Sequence, residues 1–125
     1  MVKKKILIVD DEVQFTQIVK MNLEETGEFE VRVENRGKDA LAAVKAFKPD
    51  LIFLDIIMPD VDGTQIAESL KDDVLLDEIP VVFLTALVTK EEILSGGENI
   101  AGRKFLAKPA MTSQIIKCIK ENIRP

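Results

Sequence analysis

The sequence predicts a doubly wound α/β fold, a five-stranded parallel sheet in the order 2-1-3-4-5 with helices on both faces. Three observations predict it. Five short apolar runs recur along the chain, and segments with helical spacing separate them. The run Leu51-Ile52-Phe53-Leu54 is apolar throughout, as a strand buried on both faces requires, and ends abruptly at Asp55. The length of 125 residues supports one hydrophobic core, so a single domain is expected over residues 1–125, with no output domain in the chain.

The first strand is Lys5-Ile6-Leu7-Ile8-Val9, rich in β-branched residues and followed by Asp10-Asp11-Glu12. Val13, Phe15, Ile18, Val19, Met21, Asn22 and Leu23 then recur at mixed steps of three and four, which is helical spacing, and Gly27 is a natural stop. Phe29-Glu30-Val31-Arg32-Val33 alternates apolar and charged, so it reads as a more exposed edge strand. Gly37-Lys38-Asp39 leads into a second helix through Ala40, Leu41, Ala43, Val44 and Phe47, which must end before Pro49.

After the central strand, Pro59 blocks its continuation and Asp60-Val61-Asp62-Gly63 supplies turn chemistry. Thr64 is placed to cap a third helix carrying Ile66, Ala67 and Leu70. Pro80 to Leu84 forms a fourth strand ending at Thr85-Ala86, and a weaker helical stretch from Thr89 to Leu94 breaks at Gly96-Gly97. Lys104 to Ala107 is a fifth strand ending at Lys108-Pro109. A last helix runs from about Thr112 to Ile123, with Ile115, Ile119 and Ile123 as its core stripe, Ile116 partly off it and Cys118 as a small hydrophobe. Right-handed connections make these alternating units a compact sandwich. The flavodoxin-like order follows because the second strand looks like an edge and the first like a centre.

Composition excludes several classes of function. A net charge of -5 argues against a nucleic-acid surface, which needs a basic face, and Lys3-Lys4-Lys5 reads as a solvated lead-in. No apolar run approaches the ~20 residues of a membrane span, and Ile6 to Val9 is too short for a signal peptide, so a cytoplasmic location is expected. A single cysteine permits no internal disulfide, which agrees with a reducing compartment. With no histidine, the chain holds neither a His-ligated metal nor a His-activated nucleophile.

In an open parallel sheet, chemistry gathers in the crevice at the carboxyl ends of the strands. The first strand brings Asp10 and Asp11 there, the third Asp55, the fourth Thr85 and the fifth Lys108. Singly, each has a plain reading: Asp10-Asp11 as a helix cap, Thr85 as an ordinary strand end, Lys108 as a solvated turn. Together they are three carboxylates, a hydroxyl and an ammonium on one crevice. Three carboxylates repel strongly at low dielectric, so a divalent cation is implied, and an all-oxygen donor set favours Mg²⁺ or Mn²⁺. A hard cation beside a carboxylate suits phosphoryl transfer, with Asp55 as nucleophile and Lys108 and Thr85 meeting the phosphate oxygens.

The residues Val9-Asp10-Asp11, Leu54-Asp55-Ile56-Ile57-Met58-Pro59, Leu84-Thr85-Ala86 and Phe105-Leu106-Ala107-Lys108-Pro109 resemble, in order and over essentially the whole chain, the receiver domain of two-component response regulators. The resemblance implies Asp55 as phosphoacceptor, charged by a sensor histidine kinase or a histidine phosphotransfer protein. It implies Mg²⁺ held by Asp11, Asp55 and the Ile57 carbonyl, with Asp10 acting largely through water. Thr85 and Phe105 match its switch pair, and Pro109 its cis-proline. The implied output is a downstream protein bound on the face of the fourth helix, fifth strand and fifth helix, with homodimerisation possible on phosphorylation. No direct nucleic-acid or membrane partner is expected. Beyond this self-directed phosphoryl transfer and its reversal, no enzyme activity is expected.

Departures from the family pattern are Ala110 where a bulky residue is usual, Phe105 in place of the commoner tyrosine, and Gly96-Gly97 in the fourth helical segment. Apolar Ile57 and Leu87 are expected to hinder the water that removes the phosphoryl group. Rival readings fare worse. A flavin site needs a phosphate loop after the first strand, where Asp10-Asp11-Glu12 repels phosphate. A haloacid-dehalogenase-like hydrolase needs a second aspartate at the position of Ile57, and room for a cap. A degenerate receiver acting as a phosphorylation-independent binding module is the remaining alternative, although every site residue is intact.

Overall fold

The computed structural model describes residues 2–86, 99–100, 103–108 and 110–123. Within them the chain forms strands β1 (Lys4–Val9), β2 (Phe29–Glu34), β3 (Leu51–Asp55), β4 (Val81–Thr85), β5 (Asn99–Ile100) and β6 (Arg103–Ala107). Helices α1 (Val13–Glu25), α2 (Ala40–Phe47), α3 (Gly63–Lys71) and α4 (Thr112–Asn122) connect or follow them. The sheet order is β2-β1-β3-β4-β6-β5. Every pairing from β2 through β6 is parallel, which is the expected 2-1-3-4-5 order with β6 as fifth parallel strand. The two-residue β5 adds an unexpected antiparallel edge to β6, too short to leave a periodic signal in sequence.

Alternation along the strands divides the core in two. Ile6 and Ile8 of β1 and Phe53 of β3 pack with Val19 and Leu23 of α1 and Ile115 and Ile119 of α4. Leu7 and Val9, with Ile52 and Leu54, face the other way, onto Ala43 and Val44 of α2 and Ile66 and Leu70 of α3. A strand with period two and a layer of helices on each side requires this split. β1 and β3 are apolar on both faces because both faces are covered, whereas β2, at the edge, keeps Glu30 exposed.

Helix ends follow local chemistry. α1 stops where Gly27 takes φ +77°, and α2 stops at Lys48, left-handed at φ 53°, just before Pro49. The cap of α3 differs from the expected Thr64. Asp62 is the N-cap, accepting from the Thr64 N–H at 2.8 Å and from the Thr64 hydroxyl at 2.7 Å. A carboxylate one residue before the first helical position reaches the orphan N–H groups better than a hydroxyl already inside the helix. The basic lead-in is also only partly solvated. Lys4 begins β1, and the Lys5 ammonium lies 5.3 Å from the Phe47 ring.

Ile115 and Ile119 are buried, while Ile116, Cys118 and Ile123 are half-buried and pack against the same cluster. Burial raises the Cys118 thiol pKa, with Glu121 adding to the effect. Among the described residues, no helix is long and apolar enough to cross a membrane. The expected helix from Thr89 to Leu94, the Gly96-Gly97 break, Leu87 and the cis-Pro109 lie outside the described residues.

Candidate phosphoacceptor site

The chain leaves β1 for one side of the sheet and returns on the other as β3, so these two strands flank the point where the winding reverses. Their register ends at Val9 beside Leu54, and the next residues on each strand are Asp10 and Asp55. Strand pairing alone thus sets two carboxylates side by side. Register between β4 and β6 ends at Thr85 beside Ala107, and the Lys108 N–H donates to the Thr85 carbonyl at 2.9 Å. All four strand-end residues expected from sequence therefore meet at one edge.

Burial is extensive for groups so polar. Asp10 is 0% exposed, Thr85 1% and Asp55 6%. Carboxylate oxygens of Asp10, Asp11 and Asp55 lie within 4.8 Å of one another. The Lys108 ammonium is the partner of Asp10 Oδ2, and also lies 2.8 Å from Glu12 Oε1 and 3.6 Å from Asp55 Oδ2. Its side chain is nearly buried, and the ring of Phe15 sits 4.9 Å from the ammonium.

The electrostatics follow from this crowding. Burial, then the neighbouring Asp10 charge, pushes the Asp55 pKa up to about 6, and Lys108 only partly offsets them. Burial also raises Asp10, against the pull of Lys108 and of the Glu12 N–H that donates to Asp10 Oδ1 at 2.9 Å. For Lys108 burial acts downward, but hydrogen bonds to Asp10 and Glu12 outweigh it and hold the ammonium above its ordinary value. Among the described residues, Lys108 is the cation paired with this cluster, and its single charge does not balance the carboxylates. An all-oxygen cluster with this excess negative charge fits a hard divalent cation.

Several residues that position the site escaped the reading of the sequence. Asn35, just past β2, donates its side-chain amide to the Asp10 carbonyl at 2.8 Å and to the Thr16 hydroxyl oxygen at 3.0 Å. Asp60 accepts from the N–H groups of Gly37 at 3.2 Å and Lys38 at 3.0 Å, tying the loop after β3 to the start of α2. Those bonds, Lys38 first, lower the Asp60 pKa. Gly63 opens α3 against the backbone of β3: a Cβ there would lie 2.0 Å from the Asp55 carbonyl oxygen. Its N–H donates to the carbonyl of Ile56 at 2.7 Å rather than to that of Ile57. In sequence Asp60 and Gly63 read only as turn residues, a local signal that carries no information about the partner.

Phe105 is half-buried and packs against the core on the α2/α3 side. It pairs in register with Phe83, two residues before Thr85, so Thr85 and Phe105 belong to the same face of neighbouring strands. Ile57 is 59% exposed at the rim.

Comparison with known proteins places the molecule. The family model for the response regulator receiver domain matches residues 6–120. The chain is 34% identical over 124 residues to the phosphate regulon transcriptional regulatory protein PhoB of Pseudomonas aeruginosa, covering 99% of this chain and 53% of that one. It is 31% identical over 121 residues to the alkaline phosphatase synthesis transcriptional regulatory protein PhoP of Bacillus subtilis, covering 97% and 49%. The chain thus spans about half the length of these curated relatives. Among solved structures, the Francisella response regulator 1452 receiver domain superposes with a TM-score of 0.79 at 28% identity, covering 95% of each chain. Because both relatives are named as transcriptional regulators, the expected absence of a nucleic-acid partner finds no support in them. The charge balance describes this chain's own surface and not the other half of such proteins. Fold, strand-end residues and family match agree: the chain belongs to the response regulator receiver domain family.

Proposed function

We propose that the chain is a phosphorylation-dependent signalling switch in which Asp55 accepts a phosphoryl group from a phosphohistidine on a sensor kinase or phosphotransfer protein. The observation that carries this reading is the convergence of Asp10, Asp11, Asp55 and Lys108, buried or half-buried, at the reversal point of the sheet. An Asp55 carboxylate oxygen forms the new bond to phosphorus while the P–N bond of the donor breaks, and the electron pair leaves with the imidazole. Asp10, Asp11 and Asp55, with the Ile57 carbonyl, are the residues that would hold Mg²⁺ or Mn²⁺. Such a cation, when bound, neutralises the phosphoryl oxygens in the transition state.

Lys108, 3.6 Å from Asp55 Oδ2, supplies a second positive charge to the same oxygens. The Thr85 hydroxyl is the donor for a third, and its movement is coupled to Phe105 on the same face of the sheet. The output is then read by a protein partner on the side of β6 and α4. Reversal is slow by this reading, because exposed, apolar Ile57 offers the attacking water no hydrogen bond.

Intact-mass measurement after incubation with acetyl phosphate and Mg²⁺ tests the central step. A single phosphoryl adduct is expected in the wild type, absent in Asp55→Asn and in excess EDTA. An adduct that survives either treatment contradicts the assignment. Thr85→Ala should still be labelled, but with a weaker shift of the Phe105 resonances on labelling; a full wild-type shift removes the coupling.

A further inference from the structure

Lys108 is held in a cradle that phosphoryl transfer to Asp55 does not require. Its ammonium has three N–H donors. One donates to Glu12 Oε1 at 2.8 Å, the Asp10 Oδ2 carboxylate is the ion-pair partner, and the Phe15 ring closes one side at 4.9 Å. Asp55, the group Lys108 must serve, is the most distant of the three carboxylates at 3.6 Å. Glu12 and Phe15 are three residues apart at the start of α1, so one helical turn presents both to the same ammonium.

The two strong partners differ in kind. Asp10 is fully buried and its other oxygen is fixed by the Glu12 N–H. The Glu12 side chain is 62% exposed, so solvent readily replaces its half of the pair. Glu12 is also the N-cap of α1, and its carbonyl accepts from the Thr16 N–H at 3.1 Å. A phosphoryl group brings about -1.5 to -2 charges and strong acceptor oxygens, against one charge on Glu12. Competition for Lys108 favours the phosphoryl group.

We propose that Glu12 is a positioning residue, a placeholder counter-ion that holds Lys108 beside Phe15 until a phosphoryl group on Asp55 takes the ammonium away. The exchange frees the Glu12 carboxylate and registers phosphorylation at the N-terminus of α1, on the opposite side of the sheet from Phe105. This inference rests on the phosphoacceptor reading of Asp55. It adds a second point at which the chemistry is felt.

The test has two arms, run with Mg²⁺ saturating for each protein. In the wild type, the side-chain ¹³C carboxyl resonance of Glu12 is followed before and after acetyl phosphate. It should move on phosphorylation, and loss of the Lys108 partner should leave it sensitive only to solvent. In the second arm, the acetyl phosphate labelling rate of Glu12→Gln is compared with wild type at low and high salt. Removing the competing charge should raise the rate about two- to five-fold, the size of an exposed ion pair, and the gain should shrink at about 1 M salt, where such pairs are screened. A Glu12 carboxyl resonance that stays fixed while Asp55 is labelled overturns the inference and leaves the phosphoacceptor reading standing. A Glu12→Gln rate equal to wild type at every salt concentration does the same. Absence of any label at residue 55 overturns both.

Discussion

At the amino edge of the sheet, the Lys5 N–H donates to Asp50 Oδ2 at 2.8 Å and the Asp50 N–H returns a bond to the Lys5 carbonyl at 2.7 Å. The Lys5 ammonium reaches the Phe47 carbonyl at 3.4 Å and lies over the Phe47 ring. At the carboxyl edge of the same strands, β1 and β3 end instead in two adjacent buried carboxylates with a third beside them, and among the described residues the Lys108 ammonium is their cationic partner. Charge and hydrogen bonding are matched at one edge and mismatched at the other. Matched pairs close a sheet against solvent. A mismatch held in place by a rigid core stores a demand for positive charge, and it persists only because the surrounding packing over-determines it.

Gly63 is where that over-determination is most exposed to attack. An added methyl would meet the Asp55 carbonyl oxygen at 2.0 Å, and the obstacle is backbone, which cannot rotate away. Gly63→Ala should therefore cost about 3 kcal/mol in urea unfolding and slow phosphorylation by displacing Asp55. A loss below about 1 kcal/mol would mean that the end of β3 is not held as tightly as the comparison requires.

Asp55 itself should act in the opposite direction. Its folded pKa of about 6 lies above the unfolded value, so between roughly pH 4 and 6 the folded state binds more protons. Stability of the metal-free protein should fall as pH rises through that window and level off above it. Asp55→Asn should stabilise the metal-free protein by about 2 kcal/mol at pH 7.5 and make the slope shallower. The buried Asp10 leaves some slope behind. Saturating Mg²⁺ should shrink the difference between the two proteins. Chemical denaturation across pH checks this, and an Asp55→Asn variant less stable than wild type without metal would contradict a charge mismatch at the carboxyl edge.

The smallest effect belongs to the matched edge. Asp50→Ala should cost about 1 kcal/mol, the worth of its exposed hydrogen bond to the Lys5 N–H, and the cost should be the same with and without Mg²⁺. A cost that depends on metal would show the two edges to be coupled through the strands, which their separate bonding does not predict.

Much of this was legible in the sequence, for a physical reason. Buried parallel strands are apolar on both faces, so Leu51 to Leu54 stands out, and the rule that chemistry sits at carboxyl ends turned each strand terminus into a candidate. Asp10, Asp55, Thr85 and Lys108 were found that way, each from its own short segment. Residues that act through a distant partner were not found. Asn35 holds the Asp10 carbonyl from just past β2, Asp60 caps the N–H groups of Gly37 and Lys38, and Gly63 is required by a backbone it approaches only in the fold. The Asp62 cap was misplaced onto Thr64 because the two lie within two residues and both are good capping types. Glu12 was passed over as the third of three acids, since nothing local distinguishes a cradle for Lys108 from a solvated helix start.

Reductive trapping identifies the carboxylate that carries the phosphoryl group. Protein treated with acetyl phosphate and Mg²⁺ is reduced with borohydride, which converts an aspartyl phosphate into homoserine, and the converted residue is located by peptide sequencing in a mass spectrometer. Homoserine is expected at position 55 and nowhere else, and is lost when Mg²⁺ is withheld. Homoserine at position 10 or 11, or phosphoprotein that yields none, would contradict the assignment of Asp55.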